Sequence, residues 1–591
     1  MYRRTVILLG LLLCSVFPGR AQWTGSVDLS GGYGFMRSAD EETFLSRGLG
    51  KGTFHLGYKK QGFQWSNTLN AGFENLSTEV ARVSARITDN LEEGVNLSGD
   101  LKSKKSNPWS LTFRTEALWT PSAHMRHRAW FQYGFRDEYG ENYTTSQSGL
   151  NGFDSMSAYI DTPISKTHQV ELGYNMSRQL GSPRRVLLGV VSLSHNFRDQ
   201  YTGWIVYEQK QTGEESLDVY RITPHSAQTT VNAAVHMKDS VLVSGPSRLL
   251  LDPGVRLTAG RTRDNNSGAT LVDVLEETWR DSTRLREDFR FFTLAAEPFV
   301  AADFKWKNLS VHADYGLQIY ARRLTSDQHP SHGMDFVKPS LVGNSRVVWT
   351  LSDGHTLQLG SNSSVSHPNY VQTCWYERPG AYVSQVYRGS TSLESTRTHS
   401  LNLGYTFKYK GLTATLTGSV MRRLGDVEQT YSNEDIGGKT YQVFTWINAS
   451  DTWGLGLDPK VSWNGKNVRG SVGVNLNQSF LKSRISGEVK KTHNWGLTAA
   501  AACFPGKGWS VDADVKYRSS VSSFFTSFSE YWTLNMKVQK SFKRLTVYLQ
   551  GRDLLDAPVT AEFLSADGLE WWAEESRENR RIILLGLNWK F

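Results

Sequence analysis

The sequence predicts an all-β fold, a transmembrane, antiparallel, up-and-down β-barrel of about 22–24 strands with short periplasmic turns and long external loops. Three observations predict it. Segments of about 9–13 residues alternate between apolar and polar side chains, the pattern of strands with one greasy face and one wet face. The breaks between them alternate between short and long. No run of about 18 apolar residues follows Gln22, so a membrane crossing must be made by strands and not by a helix.

The chain opens "MYRRTVILLGLLLCSVFPGRAQ". Arg3 and Arg4 form a basic start, Val6 to Phe17 an apolar stretch, and Gly19 and Ala21 the small residues of a cleavage site before Gln22. Residues 1–21 therefore read as a secretory signal peptide, and residues 22–591 as the barrel, with no separate plug domain. Cys14 follows Leu13, which is too large for a lipoprotein cleavage position. Loss of Arg3, Arg4 and Arg20 leaves 63 of the 66 basic residues against 57 acidic ones. This mild excess has no concentrated basic arm and no nucleic-acid-binding motif, so nucleic acid is not an expected partner. Aromatics at 12%, 52 glycines and only 39% apolar residues suit a chain whose second face meets water.

The strand pattern is clearest in "THSLNLGYTFKYKGLTATLTGSVMRR", where Leu401, Leu403, Tyr405, Phe407 and Tyr409 oppose Asn402, Gly404, Thr406 and Lys408. Lys410-Gly411 then marks a tight hairpin. The alternation recurs at 468–476, 509–517, 532–539 and 545–552. Short breaks fall at Lys410-Gly411, 464–467, 504–508, 540–544, 352–355 and 305–308, and long ones at 263–287, 368–396, 423–440 and 554–578. A secreted sandwich would also alternate, but its breaks would not be asymmetric. The stretch 77–107 reads either as one long external loop or as an extra hairpin. Cys374 falls in an external loop and Cys503 beside a periplasmic turn, so the two are expected at opposite ends of the membrane and unbridged. The chain closes on "RRIILLGLNWKF", a strand with Leu585, Leu587, Trp589 and Phe591 toward lipid. Trp589 and Phe591 at the periplasmic edge resemble the terminal signal read by the barrel assembly machinery, an expected partner.

The segment "SHPNYVQ" followed by "YRGSTSLESTRTHSLNLGYTF" resembles a region of TonB-dependent receptors of the Bacteroidetes type. The matching residues are Pro368, Tyr370, Gln372, Gly389, Leu393 and Glu394, while the loop prolines of that family are missing. "IDTPISKTHQVELGYNMSR" (160–178) and the last three strands are similar to further parts of that barrel, so the resemblance spans about residues 154–591. Those receptors carry an N-terminal plug. Here alternation begins at "WTGSVDLSGGYGF" (23–35), directly after the signal peptide, and no TonB box stands out. The resemblance thus implies a plugless relative in the bacterial outer membrane. Energised import by the TonB route is not carried over.

Chemistry is sparse. His124 and His127 in "SAHMRH" are three apart, which on a strand points them to opposite faces, and they read as exposed turn histidines. His329 and His332 lie near Asp327 in an external loop. No nucleophile, phosphate loop or metal signature is assembled, and the expectation is a non-enzyme without catalytic residues, metal or cofactor. Glu570, Trp571 and Trp572, with Glu574 and Glu575, form an external cluster. Its tryptophans either tuck into the barrel mouth or contact a ligand or partner. Trp375, Tyr376 and Arg378 raise the same alternatives. The expected function is a transport pore or receptor for a polar solute, gated by its loops or by a partner. The alternative is a scaffold that anchors, presents or secretes surface lipoproteins. Outer-membrane lipid, lipopolysaccharide and a surface lipoprotein are the expected neighbours.

Overall fold

The structure, a computed structural model, describes residues 22–590 apart from 38–43, 88–94, 151–154, 211–214, 274–277, 282–286, 328–334, 374–376, 380–384, 437–438, 556, 558, 565–569 and 579–580. Residues 1–21, His329, His332, Cys374, Trp375, Tyr376 and Phe591 lie outside the described residues. Among the described residues all the strands join one sheet, and 22 of them form a closed antiparallel wall in chain order. Gln22–Arg37 pairs with Phe44–Lys60 on one side and with the last strand, Ile582–Lys590, on the other, which closes the ring. Closure leaves no free edge in the membrane, where an unpaired backbone group would cost several kcal/mol.

The period-2 pattern decides which way each side chain points. Leu401, Leu403 and Tyr405 are exposed on the outer wall, and so are Ile583, Leu585, Leu587 and Trp589 on the closing strand. Their alternates Asn402, Gly404 and Thr406, or Ile582 and Leu584, face the lumen. Exposed outward aromatics collect at two levels. Trp306, Trp349, Tyr409, Trp463, Trp509 and Trp589 lie near the short turns; Trp109, Trp453, Trp495 and Trp532 lie near the other end. Trp453 and Trp463 share a strand and a face, ten residues apart. At about 3.3 Å per residue and a tilt near 40° the rings are separated by about 25 Å along the axis, the height of the lipid-facing band. Many inward side chains are polar and paired: Arg128 and Arg114 on Glu116, Arg256 on Glu297 and Asp314. Trp130 is a lumenal exception. Its indole lies flat over Gly173, where any Cβ would collide with the ring, and its N–H donates to Glu171 at 2.9 Å.

Four of the short breaks are two-residue turns, and those at 465–467 and 542–544 have three residues. Lys410-Gly411 (φ 43° and 88°) and Lys507-Gly508 (φ 51° and 80°) are left-handed at both positions, the geometry that matches the strand twist. The break 423–440 differs from the expectation of a loop. Residues 423–440 continue the hairpin Leu412–Ile436 with Lys439–Asn464. Residues 77–107 form the extra hairpin, with Val95–Ser106 returning along Leu76–Ile87. A chain leaving the membrane still has to pair its backbone, and prolonging the ladder does so without new partners. Cys503 is exposed and free.

Candidate functional site: the inner face of the external mouth

Ser366 and Thr396 form the last wall pair of two adjacent strands, and the described residues of 367–395 then fold inward. His367 anchors the fold. Its ring stacks on Tyr320 at 3.7 Å and 4°, while Nε2 lies 2.8 Å from Gln318 Oε1 and Nδ1 2.7 Å from Ser395 Oγ. With Gln318 Oε1 as acceptor, Nε2 must carry the proton and Nδ1 accepts from Ser395. Gln318, Tyr320 and Arg322 alternate with the outward Leu317 and Ile319, so the segment lies against the lumenal side of the wall. Buried Arg322 donates from Nη2 to the carbonyls of Thr391 (3.2 Å) and Leu393 (3.4 Å). Burial, together with the charges of Arg322 and Arg397, pushes the His367 imidazole down to about 4, so it docks as the neutral ring.

The short helix Tyr370–Thr373 is capped reciprocally. The Gln372 N–H donates to Asn369 Oδ1 and the Asn369 N–H to Gln372 Oε1, both at 3.0 Å. The cap presents Tyr370 to the buried cluster Phe289, Phe291 and Leu324. Further along, the Glu394 N–H donates to Asn448 Oδ1, whose amide donates back to the Glu394 carbonyl and to that of Gly425. Arg484, from the next external turn, joins Glu394 at 2.8 Å and Asp451 at 2.9 Å.

The hairpin above Gly425 leaves the wall. Gly425 is left-handed (φ 71°) and the register slips between Arg423 and Val427. Lys439–Asn464 pairs with its wall neighbour only from Ser450 onward. Higher up, its residues Gln442, Val443 and Phe444 pair in parallel with Gln385, Val386 and Tyr387 of the inward segment. Tyr387 stacks on Phe444 (5.2 Å) and Trp446 (5.9 Å). Consecutive residues are buried here, Thr430 with Tyr431 and Val443 with Phe444. A wall strand keeps one face toward lipid, so a hairpin covered on both faces lies inside its neighbours. A third segment, 519–530, completes the interlock. Ser523 Oγ donates to Glu428 at 2.9 Å and Lys490 Nζ donates to the Ser523 carbonyl at 2.6 Å. Burial raises the Glu428 carboxyl above its ordinary value.

The model of the outer membrane protein beta-barrel family matches residues 258–589, a span that includes all three interlocking segments. The chain belongs to that family. Family and fold together place the protein in the bacterial outer membrane. Its fold is similar to that of the ferric citrate transporter FecA in the unliganded form, with a TM-score of 0.59 and 11% identity over 96% of this chain and 78% of that one. It is similar also to the copper transporter OprC (TM-score 0.61, 11% identity, 97% of this chain and 81% of that one). A third is the ferripyoverdine receptor of the Pseudomonas aeruginosa outer membrane (0.56, 10%, 97% and 72%). At such identities the likeness is one of fold. No curated protein matches the sequence.

The residues that carried the sequence resemblance in this family member all shape the inward segment. Pro368, Gly389 and Leu393 are buried, Tyr370 and Gln372 build the helix and its cap, and Glu394 meets Arg484. The external cluster falls elsewhere. Glu570, Trp571 and Trp572 begin the strand Glu570–Glu578, which pairs with Val559–Leu564 and with the external part of Phe63–Ile87. Arg378 lies on Glu377–Pro379, which pairs with Gln385–Arg388. The topology therefore separates Arg378 from the tryptophan strand. His124 meets Gln179 at 2.6 Å, and His127 meets Tyr174 at 2.6 Å and stacks on Trp119, so both belong to the periplasmic rim. His367, Arg322, Glu428 and Arg484 were not singled out by sequence reasoning. Their partners are distant in the chain, and only the "SHPNYVQ" stretch drew attention to one of them.

Proposed function

We propose that the protein is a transport pore or receptor for a polar solute, and not an enzyme, with its external mouth closed by its own segments. The observation that carries this reading is the interlock of the inward segments: Arg322 of the wall holds 367–395, Arg484 ties Glu394 to Asp451, and Ser523 of 519–530 meets Glu428 of the hairpin above Gly425. Barrels of 22 strands have a lumen that is normally plugged, and these segments supply a closure. The paired charges of the inner wall would solvate a polar solute on its way through. In the same reading residues 1–21 direct export, and Trp589 with Phe591 is the signal for the assembly machinery. Glu570, Trp571, Trp572, Trp375, Tyr376 and Arg378 are the proposed external contacts for a solute or a surface lipoprotein.

The test is conductance in planar bilayers. The full chain should be nearly silent, and a variant with 367–395 replaced by Asn-Gly between Ser366 and Thr396 should conduct. A barrel that stays silent in both forms and co-purifies in fixed ratio with a surface lipoprotein would overturn transport in favour of the scaffold.

A further inference from the structure

Four arginines stand together on the outer wall, where a lipid-facing surface should carry no charge. Three adjacent strands supply them: Ser247–Asp273, Glu287–Trp306 and Leu309–Ser326. The ladder places Arg261, Phe292 and Arg323 in one row, and Arg263 beside Arg290 in the next. All four arginines are exposed and have the same parity as Leu257, Leu294 and Ile319, which face lipid just below them. They are therefore outward groups at the external border of the apolar face, the level of the outer-leaflet head groups.

The arrangement is costly without an anion. Arg263 directly opposes Arg290, and like charges in that position destabilise a sheet. Asp288 relieves part of this, 3.0 Å from Arg263 and 3.8 Å from Arg290, and Asp327 lies 3.9 Å from Arg290. Four guanidiniums against two carboxylates leave two positive charges. Among the described residues Arg261 and Arg323 have no ion pair. Adjacent strands are about 4.8 Å apart, so the four forks converge on an area the size of one or two phosphates. Guanidinium matches phosphate in bidentate geometry, and the apolar face beneath matches acyl chains.

We propose that this cluster binds the phosphates of a phosphorylated glycolipid of the outer leaflet, whose acyl chains lie on Phe292 and Leu294. The site is independent of the mouth and does not rest on the transport reading. The test uses the full-length protein in detergent with bisphosphorylated lipid A as the probe, and native mass spectrometry counts the retained lipid. Arg261→Gln with Arg323→Gln breaks no ion pair among the described residues, so it separates binding from folding. It should lower retention more than tenfold while heat-modifiable migration stays unchanged. Lipid A stripped of its phosphates should be retained no better by the wild type than the intact lipid is by the variant. The lumenal change Lys537→Gln should have no effect. Equal retention by wild type and variant, or equal loss with Lys537→Gln, would overturn the site. Displacement of the lipid by millimolar inorganic phosphate would also overturn the lipid assignment, because it would make free phosphate the ligand.

Discussion

The two halves of the barrel treat their external segments in opposite ways. In the first half Met125–Leu150, Ser182–Lys210, Glu215–Ser244 and Ser247–Asp273 run for 26, 29, 30 and 27 residues and stay paired as they leave the membrane. A strand of 30 residues is about 100 Å long, or about 75 Å along the axis at a tilt near 40°, so about 50 Å of it stands beyond the lipid-facing band. In the second half the chain turns back into the mouth. Pro368 and the capped helix end one ladder, and left-handed Gly425 with its register slip bends another. The backbone must be paired in either case. Where the ladder continues it rises, and where it is interrupted the chain finds partners inside the barrel.

That contrast can be broken most directly by deletion. Replacing 367–395 with Asn-Gly should raise single-channel conductance at least tenfold, whereas shortening the tall hairpin by removing 204–221 should leave it unchanged. An open pore after the second deletion would show that the first half also contributes to closure. Next in size is Arg484→Ala, which removes the bonds to Glu394 and Asp451. These pairs are partly exposed, so a loss of about 1 kcal/mol and a rise of about fivefold in open probability are expected. Arg185→Ala, which breaks the comparable pair with Asp239 on the tall half, should leave gating alone.

Acid should loosen the mouth through His367. A group whose value is depressed on docking stabilises the docked state above its ordinary value, 6.5 for histidine, and loses that contribution as pH falls toward about 4. Open probability should therefore rise between pH 6.5 and 4, and His367→Gln should flatten that rise. Glu428, raised by burial, works in the opposite sense and favours docking as it takes up a proton. An effect no larger than that of Arg484→Ala is expected for Gly425→Ala. The space is adequate, with Asn448 Nδ2 3.4 Å from the new Cβ, but the left-handed backbone costs about 1 kcal/mol. A shift of this size should appear in the open probability and not in the heat stability of the wall. An equal loss of wall stability would mean that the bend is part of the barrel itself.

Much of the wall was legible because its determinants are local. Outward Leu401 and inward Asn402 follow from a period of two, and Lys410-Gly411 announces its turn by composition. The long breaks were harder. "DVEQTYSNEDIGGK" (426–439) has no apolar face, so it resembles a loop, yet it is a hairpin whose cover comes from residues far away in the chain. The tryptophan pair 571–572 stood out by composition, but the sequence did not show that it sits on a strand paired with Phe63–Ile87, nearly five hundred residues earlier.

The sequence by itself determined the barrel, its orientation and its lipid-facing surface, because strand alternation and turn chemistry act over a few residues. Only the tertiary structure decided how the mouth is filled. Arg484 meets Glu394 90 residues away, Ser523 meets Glu428 95 residues away, and His367 meets Gln318 49 residues away. Such contacts depend on closure of the ring, which brings distant strands to one rim, and no local pattern in the chain encodes that distance.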